Sequence, residues 1–175
     1  MDVRDAVSLI RDGVGEGAGV WADLGAGSGT FTRALAELLA PGSVVYAVDN
    51  DARALTLSSW GGTRIVPVKA DFTGPLELPG LGDTLLDGLL LANALHFVRD
   101  AGSVFARVVQ RVRLGGQVIV VEYDRRDASR WVPYPIPISR LPALAKEAGL
   151  SDPTVVARRP SMYSGVLYAA AATRL

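Results

Sequence analysis

The run Val20-Trp21-Ala22-Asp23-Leu24-Gly25-Ala26-Gly27-Ser28-Gly29-Thr30-Phe31-Thr32 constrains this chain more than any other stretch. A mostly apolar segment suited to a buried strand runs directly into three spaced glycines and then into a helical pattern over residues 30–39. Gly25, Gly27 and Gly29 remove Cβ atoms where the backbone must turn sharply and where a ligand must approach the main chain. The first amide N–H groups of the following helix have no partner within it and face the same space. Strand, glycine loop and helix start together make a ligand cradle at the carboxyl edge of a sheet.

The spacing also excludes two common cradles. A dinucleotide loop needs G-x-G-x-x-G, and its third glycine would fall at Thr30. A phosphate-binding P-loop needs a lysine followed by Ser or Thr, and no lysine occurs in this region.

Three further strand patterns follow. Val44-Val45-Tyr46-Ala47-Val48 is apolar and ends in Asp49, about 20 residues past the loop, where a carboxylate can accept both ribose hydroxyls of a nucleoside. Ile65-Val66-Pro67-Val68 ends in Lys69-Ala70-Asp71-Phe72, and residues 86–92 end in Asn93-Ala94-Leu95-His96. Four successive strands thus deliver polar residues at their carboxyl ends, where α/β sheets bind ligands.

With these residues in view, the chain resembles the class I S-adenosylmethionine-dependent methyltransferases. Asp23-Leu24-Gly25-Ala26-Gly27-Ser28-Gly29 is similar to their first motif, Asp49 to their ribose-binding acid, and Ala70-Asp71-Phe72 to their adenine-contacting segment. Arg113-Leu114-Gly115-Gly116 resembles their Leu-Arg-Pro-Gly-Gly turn without its proline. The resemblance runs from about residue 20 onward, and its strength lies in the ordered set. It implies a Rossmann-like, doubly wound α/β fold with a mostly parallel seven-stranded sheet, an antiparallel last strand and helices on both faces. Residues 1–19 are expected to be an N-terminal helix and linker, and residues 20–175 the methyltransferase domain. The implied cofactor is S-adenosylmethionine, with S-adenosylhomocysteine as product.

Composition agrees with one domain of this class. The chain has 175 residues, 49% of them hydrophobic, enough for parallel strands covered on both faces. No apolar run reaches the roughly 18 residues of a membrane span, and the charged start Met1-Asp2-Val3-Arg4-Asp5 lacks an apolar signal core, so a cytoplasmic, non-membrane protein is expected. The absence of cysteine excludes disulfides, thiolate nucleophiles and cysteine-ligated metals; no metal is expected. Formal net charge is zero, without the basic surplus usual in nucleic-acid binders, so nucleic acid is disfavoured as a partner.

Elsewhere, residues 2–12 read as an amphipathic helix with Val3, Val7 and Ile10 on one stripe, and residues 13–19 as a glycine linker. Helices are expected over 51–59, 101–113 and 139–148, the last closed by Gly149. Glycines and prolines across 73–83 argue that the family's usual third helix is lost or reduced. Strands are expected over 118–122, 154–157 and 166–172, with a proline-rich loop over 123–138.

The candidate cofactor-binding residues are Asp23, Gly25, Ala26, Gly27, Gly29, Asp49, Asn50, Ala70, Asp71, Phe72, Asn93 and Ala94. Asp23 can anchor the methionine ammonium, or cap loop amides. Asp49 can hold the ribose, or merely cap the next helix. Asp71 and Phe72 can meet the adenine, or serve turn and core. Asn93 and Ala94 are expected at the methionine end. His96, the single histidine, is the catalytic candidate, as a general base near the transferred methyl. Its plainer reading, packing beside Phe97, is favoured because family members carry a histidine here without base function. The run Asn93-Ala94-Leu95-His96 departs from the Pro-Pro-Tyr pattern of members that methylate amide or adenine nitrogen.

The acceptor side is less well encoded. If the family fold holds, loop 123–138 and turn 158–165 border the pocket, giving Tyr123, Arg125, Arg126, Trp131, Arg159 and Tyr163 as acceptor candidates. An anionic or aromatic acceptor would suit this rim, and a solvated surface would explain it equally. The site is either open, closed by residues 1–19 and loop 123–138, or completed by a second subunit in a homodimer. Methyl transfer to O or N of a small molecule is the leading expectation. Protein or RNA methylation and a non-catalytic cofactor-binding subunit are the alternatives.

Overall fold

The computed structural model describes residues 1–51, 56, 58–125, 127–160 and 165–175. Its centre is one eight-stranded sheet. In chain order the strands are β1 (Val20–Leu24), β2 (Val44–Asp49), β3 (Ser59–Trp60), β4 (Thr63–Lys69), β5 (Leu86–Ala92), β6 (Val112–Tyr123), β7 (Thr154–Pro160) and β8 (Val166–Thr173). Their spatial order is β3-β4-β2-β1-β5-β6-β8-β7. Strands β4, β2, β1, β5 and β6 run parallel, β8 is antiparallel to β6, and the two-residue β3 is antiparallel to β4. The expected doubly wound architecture is present, with β3 as an eighth strand that the sequence reading lacked.

Helices cover both faces. On one, α1 (Val3–Ile10) and α2 (Thr30–Leu38) bury Ala6, Ile10, Ala34 and Leu35 against Trp21, Val45, Leu90 and Ile119. On the other, α3 (Ala101–Val109) and α4 (Leu141–Glu147) bury Phe105, Val108 and Leu144 against Leu89, Leu91 and Val120. Helix α1 starts where Asp2 and Asp5 form a reciprocal capping box. In the central strand Gly88 makes room for Trp21, whose ring would lie 2.4 Å from any Cβ there.

Several boundaries differ from expectation. Helix α3 stops at Val109, and β6 begins at Val112 rather than residue 118. The Arg113-Leu114-Gly115-Gly116 turn is therefore an excursion inside β6. Leu86 pairs with Val112 and Gly88 with Gln117, so the intervening residues leave the ladder. Gly116 has no space for a Cβ, which would lie 2.5 Å from Val112 Cγ1 and 2.9 Å from two carbonyl oxygens. Strand β7 runs to Pro160, so Arg158 and Arg159 lie in it and not in a turn. The helix expected over 51–59 falls largely on residues outside those described. Across 73–83 there is no helix, as anticipated.

The chain proceeds outward from β1 to β2 and β4, then crosses to β5 on the other side of β1. This reversal opens a crevice at the carboxyl ends of β1 and β5, the place where doubly wound sheets take their ligands.

Candidate functional site

The loop after β1 is stapled to the end of β2. The amides of Gly25 and Ala26 both donate to the Val48 carbonyl, at 2.8 and 3.0 Å, and the Gly27 amide donates to Asp49 Oδ2 at 2.8 Å. These three N–H groups are thus spent within the protein. The loop shapes a cradle without being an anion nest, consistent with its departure from phosphate-binding spacings. Gly25 has φ +79° and a Cβ there would lie 2.7 Å from Ala94 Cβ, so the backbones after β1 and β5 meet at a glycine. Gly29 begins α2 in the left-handed conformation with no side-chain cap.

These strand ends surround a cleft of about 780 Å³. Asp23, Gly25, Ala26, Gly27, Asp49, Asn50, Ala70, Asp71, Phe72, Asn93 and Ala94 all line it; Gly29 does not. Ser28, Thr30, Thr73 and Met1 complete parts of the wall.

Asp23 is buried and holds one partner, the Thr32 hydroxyl, which donates to Oδ2 at 2.6 Å. Its Oδ1 is buried and unpaired among the described residues. Burial, with a smaller contribution from the charge of Asp49, pushes the Asp23 carboxyl up to about 7. A buried carboxylate oxygen with no donor is costly alone and is satisfied by a cationic ligand group, such as an amino-acid ammonium. Asp49 accepts from Gly27 through Oδ2 and from the Asp51 amide through Oδ1 at 2.9 Å, while lining the cleft. Each carboxylate oxygen can accept a second bond, so the local turn and a ribose diol are compatible. Asp71 accepts from the Thr73 amide and hydroxyl at 2.8 and 2.7 Å, and the Thr73 hydroxyl bond chiefly holds its carboxyl below the usual range. Phe72 is half-buried against the core, as its core reading expects, and it also lines the cleft.

Sequence reasoning missed Arg107 of α3. Its Nη2 donates to the carbonyls of Phe72 at 3.2 Å and Thr73 at 2.5 Å, which fixes the segment after β4.

A second pocket, of about 510 Å³, adjoins the first; Asn93 and Phe97 line both. Its other walls are His96, Tyr123, Arg125, Ser129, Trp131 and Val132. Asn93 sits at the junction with φ +54°, in the left-handed region uncommon for side-chain-bearing residues, and its Oδ1 is buried and unpaired among the described residues. His96 lies in a short 3-10 turn, Leu95–Phe97, and is 2% exposed. It packs beside Phe97 with ring centroids 4.3 Å apart, as the plainer reading had it. It also has a partner the sequence reading did not find. Glu122, wholly buried at the end of β6, places Oε2 2.6 Å from His96 Nδ1 and accepts the His96 amide through Oε1 at 3.2 Å.

Of the acceptor candidates, Tyr123, Arg125 and Trp131 line this second pocket. Arg159 does not. Side chains alternate along β7, and its guanidinium is held 2.6 Å from Asp5 on α1, fastening that helix to the sheet edge. Arg126 and Tyr163 lie outside the described residues. The stretch that follows the wall residues Ser129, Trp131 and Val132 is anchored, since the Tyr134 amide donates to the His96 carbonyl at 2.9 Å and the buried Tyr168 hydroxyl to the Ile136 carbonyl at 2.8 Å. Among the described residues no helix is long and apolar enough to cross a membrane.

Comparison with known proteins agrees with this geometry. A family model described as a methyltransferase domain matches residues 22–120. The Burkholderia thailandensis 1,6-didemethyltoxoflavin-N1-methyltransferase, solved with its acceptor and S-adenosylhomocysteine, is similar over 98% of this chain and 77% of its own, with TM-score 0.74 and 24% identity. The mitomycin 7-O-methyltransferase MmcR is similar over 99% of this chain and 54% of its own, with TM-score 0.67 and 16% identity. The CcbJ methyltransferase of Streptomyces caelestis gives 99%, 95%, 0.67 and 16% for the same measures. No curated protein matches at the sequence level. With the glycine cradle, the orphaned Asp23 oxygen and the acid closing β2 in one cleft, and a family model covering more than half of its length, the chain belongs to the class I S-adenosylmethionine-dependent methyltransferases.

Proposed function

We propose that this enzyme methylates an oxygen or nitrogen of a small-molecule acceptor, with His96 as general base and the second pocket as acceptor site. The observation that carries the reading is the continuity of the two pockets through Asn93 and Phe97, with the His96–Glu122 pair in the wall beyond the junction. Bound S-adenosylmethionine supplies a sulfonium methyl, which forms a bond to the acceptor atom as the carbon–sulfur bond breaks and its electron pair stays on sulfur. The chain's own contribution is alignment and removal of a proton. Well-oriented reactants gain about 7–11 kcal/mol from proximity. Asp23 would hold the amino-acid ammonium, Asp49 the ribose, and Ala70, Asp71 and Phe72 the adenine. Glu122 accepts at Nδ1, which leaves Nε2 of His96 as the basic nitrogen that takes the acceptor's proton.

An acceptor pocket of this size, walled by a tethered loop, favours a small molecule over a macromolecule. The toxoflavin and mitomycin enzymes named above act on small acceptors and lend support by analogy of fold. The test is a transfer assay with methyl-labelled cofactor against fractionated extract. Label should enter the small-molecule fraction and fall away in His96→Ala. Label confined to protein or RNA would overturn the reading.

A further inference from the structure

We infer that the acceptor is a flat aromatic ring bearing an acidic hydroxyl, neutral or anionic overall, lying between Phe97 and Trp131 with its hydroxyl toward His96. The inference rests on the proposed function and narrows its acceptor. Three observations carry it.

The first is the wall itself. Phe97, Tyr123 and Trp131 give the second pocket three aromatic side chains, and two of them are openly exposed, Phe97 at 60% and Trp131 at 76%. Large apolar rings left in water around a cavity gain most from a ligand that covers them, and ring-on-ring contact adds to the area term. A saturated acceptor of the same size would lose the stacking part.

The second is charge. Among the described residues no carboxylate lines this pocket, and the nearby Glu122 is committed to His96. A cationic amine would find no counter-charge there. Arg125 lines the same pocket, its Nε tied to the Asp127 carbonyl at 2.9 Å, and places positive charge at the rim. An acidic substituent on the ring would be favoured at that end.

The third is the base. An imidazole takes a proton readily from a group of roughly phenolic acidity, near 10 as in tyrosine, and poorly from an alkanol. Asn93 Oδ1, buried and unpaired at the junction, can accept from the hydroxyl or hold it in line before the proton leaves. The proton passes from the acceptor oxygen to His96 Nε2, the oxygen gains the methyl, and the imidazolium returns the proton to solvent.

The test uses the full chain loaded with S-adenosylhomocysteine, so that binding is read without turnover. Four probes are compared by calorimetry and by tryptophan fluorescence: hydroxynaphthoate, naphthol, tyramine and hydroxycyclohexanecarboxylate. Hydroxynaphthoate should bind tightest, with the saturated acid and tyramine each about tenfold weaker or more. Trp131→Ala should weaken both naphthalene probes while leaving the affinity for S-adenosylhomocysteine unchanged. Arg125→Ala should reduce the advantage of hydroxynaphthoate over naphthol. With the labelled cofactor, hydroxynaphthoate should be O-methylated at a rate that His96→Ala lowers. Equal binding of the saturated acid or of tyramine overturns the inference, as does failure of both naphthalene probes to bind. His96-dependent methylation of a non-aromatic small acceptor would leave the proposed function standing and overturn this narrower one. Transfer only to macromolecules would overturn both.

Discussion

Glu122 holds His96 at two points, its Oε2 2.6 Å from Nδ1 and its Oε1 3.2 Å from the backbone nitrogen. The first contact selects the tautomer and the second sets the turn that carries the ring. His96→Ala should lower turnover by about 10²–10⁴, the usual range for a general base, with affinity for S-adenosylhomocysteine unchanged. Glu122→Gln keeps the shape but removes the carboxylate, and should lower turnover with little change in KM. A normal rate in His96→Ala would remove the histidine from the chemistry.

Asp23 predicts a pH signature. Its carboxyl is raised from 3.8 to about 7, so the folded apo protein holds a proton there that the unfolded chain has lost. The group therefore lowers stability as pH rises from about 4 to about 7, by up to about 1.4 kcal/mol per pH unit, and contributes no further slope above that range. A bound ammonium favours the ionised form, so cofactor binding should release a proton below pH about 7 and tighten as pH rises toward it. Calorimetry in buffers of different ionisation enthalpy reads that proton directly. Asp23→Asn should abolish the release; a release unchanged in this variant would assign it elsewhere.

Gly25→Ala should damage the cradle. The added Cβ would lie 2.7 Å from Ala94 Cβ at a backbone φ of +79°. The left-handed conformation costs roughly 1–2 kcal/mol, and the overlap a further 1–3 kcal/mol. Thermal melting should show the loss. The double variant Gly25→Ala with Ala94→Gly should recover the overlap part alone. Full recovery would mean that the backbone conformation is unimportant.

Asp49 and His96 separate cofactor binding from chemistry. Asp49→Ala removes the acceptor for the Gly27 amide and the candidate ribose ligand, so affinity for S-adenosylhomocysteine should fall about ten- to a hundredfold. At 100 times the dissociation constant the ligand stabilises the parent by about 2.7 kcal/mol, visible as a rise in Tm that NAD should not produce. Equal loss of binding in the Asp49 and His96 variants would reverse the assignment of roles.

What the sequence made legible was local. The strand running into Gly25, Gly27 and Gly29 could be read because turn and helix start are written in consecutive residues. The polar ends of β2, β4 and β5 could be read because a parallel sheet gathers carboxyl termini on one edge. Glu122 could not, because it meets His96 across 26 residues, and a buried acid at a strand end has no sequence pattern of its own. Arg159 was expected in a turn because the strand pattern fades after residue 157; β7 runs on to Pro160, and its alternation carries the Arg159 side chain to Asp5 on α1. The second pocket was only partly visible, since its wall depends on tethers such as the Tyr134 amide on the His96 carbonyl.

Arg107 supplies the last prediction. It sits on α3, outside the cleft, yet its guanidinium binds the carbonyls of Phe72 and Thr73 from behind, and Asp71 feels its charge. Under the proposed cofactor placement it acts through the segment assigned to the adenine, so it is a positioning residue. Arg107→Ala frees two carbonyls at an exposed site, so the loss of global stability should be small, about 1 kcal/mol. Cofactor affinity should fall more clearly than kcat, because the residues proposed to flank the transferred methyl, Asn93 and His96, lie after β5 and not in this segment. Amide exchange should rise at residues 71–74 and stay unchanged at the Gly25–Gly27 loop. Arg107→Lys keeps the charge but loses the guanidinium Nη2 that donates to both carbonyls, and its shorter, strongly hydrated ammonium should restore affinity only in part. Unaltered KM for S-adenosylmethionine together with unaltered exchange at 71–74 would show that the segment holds its shape without the arginine.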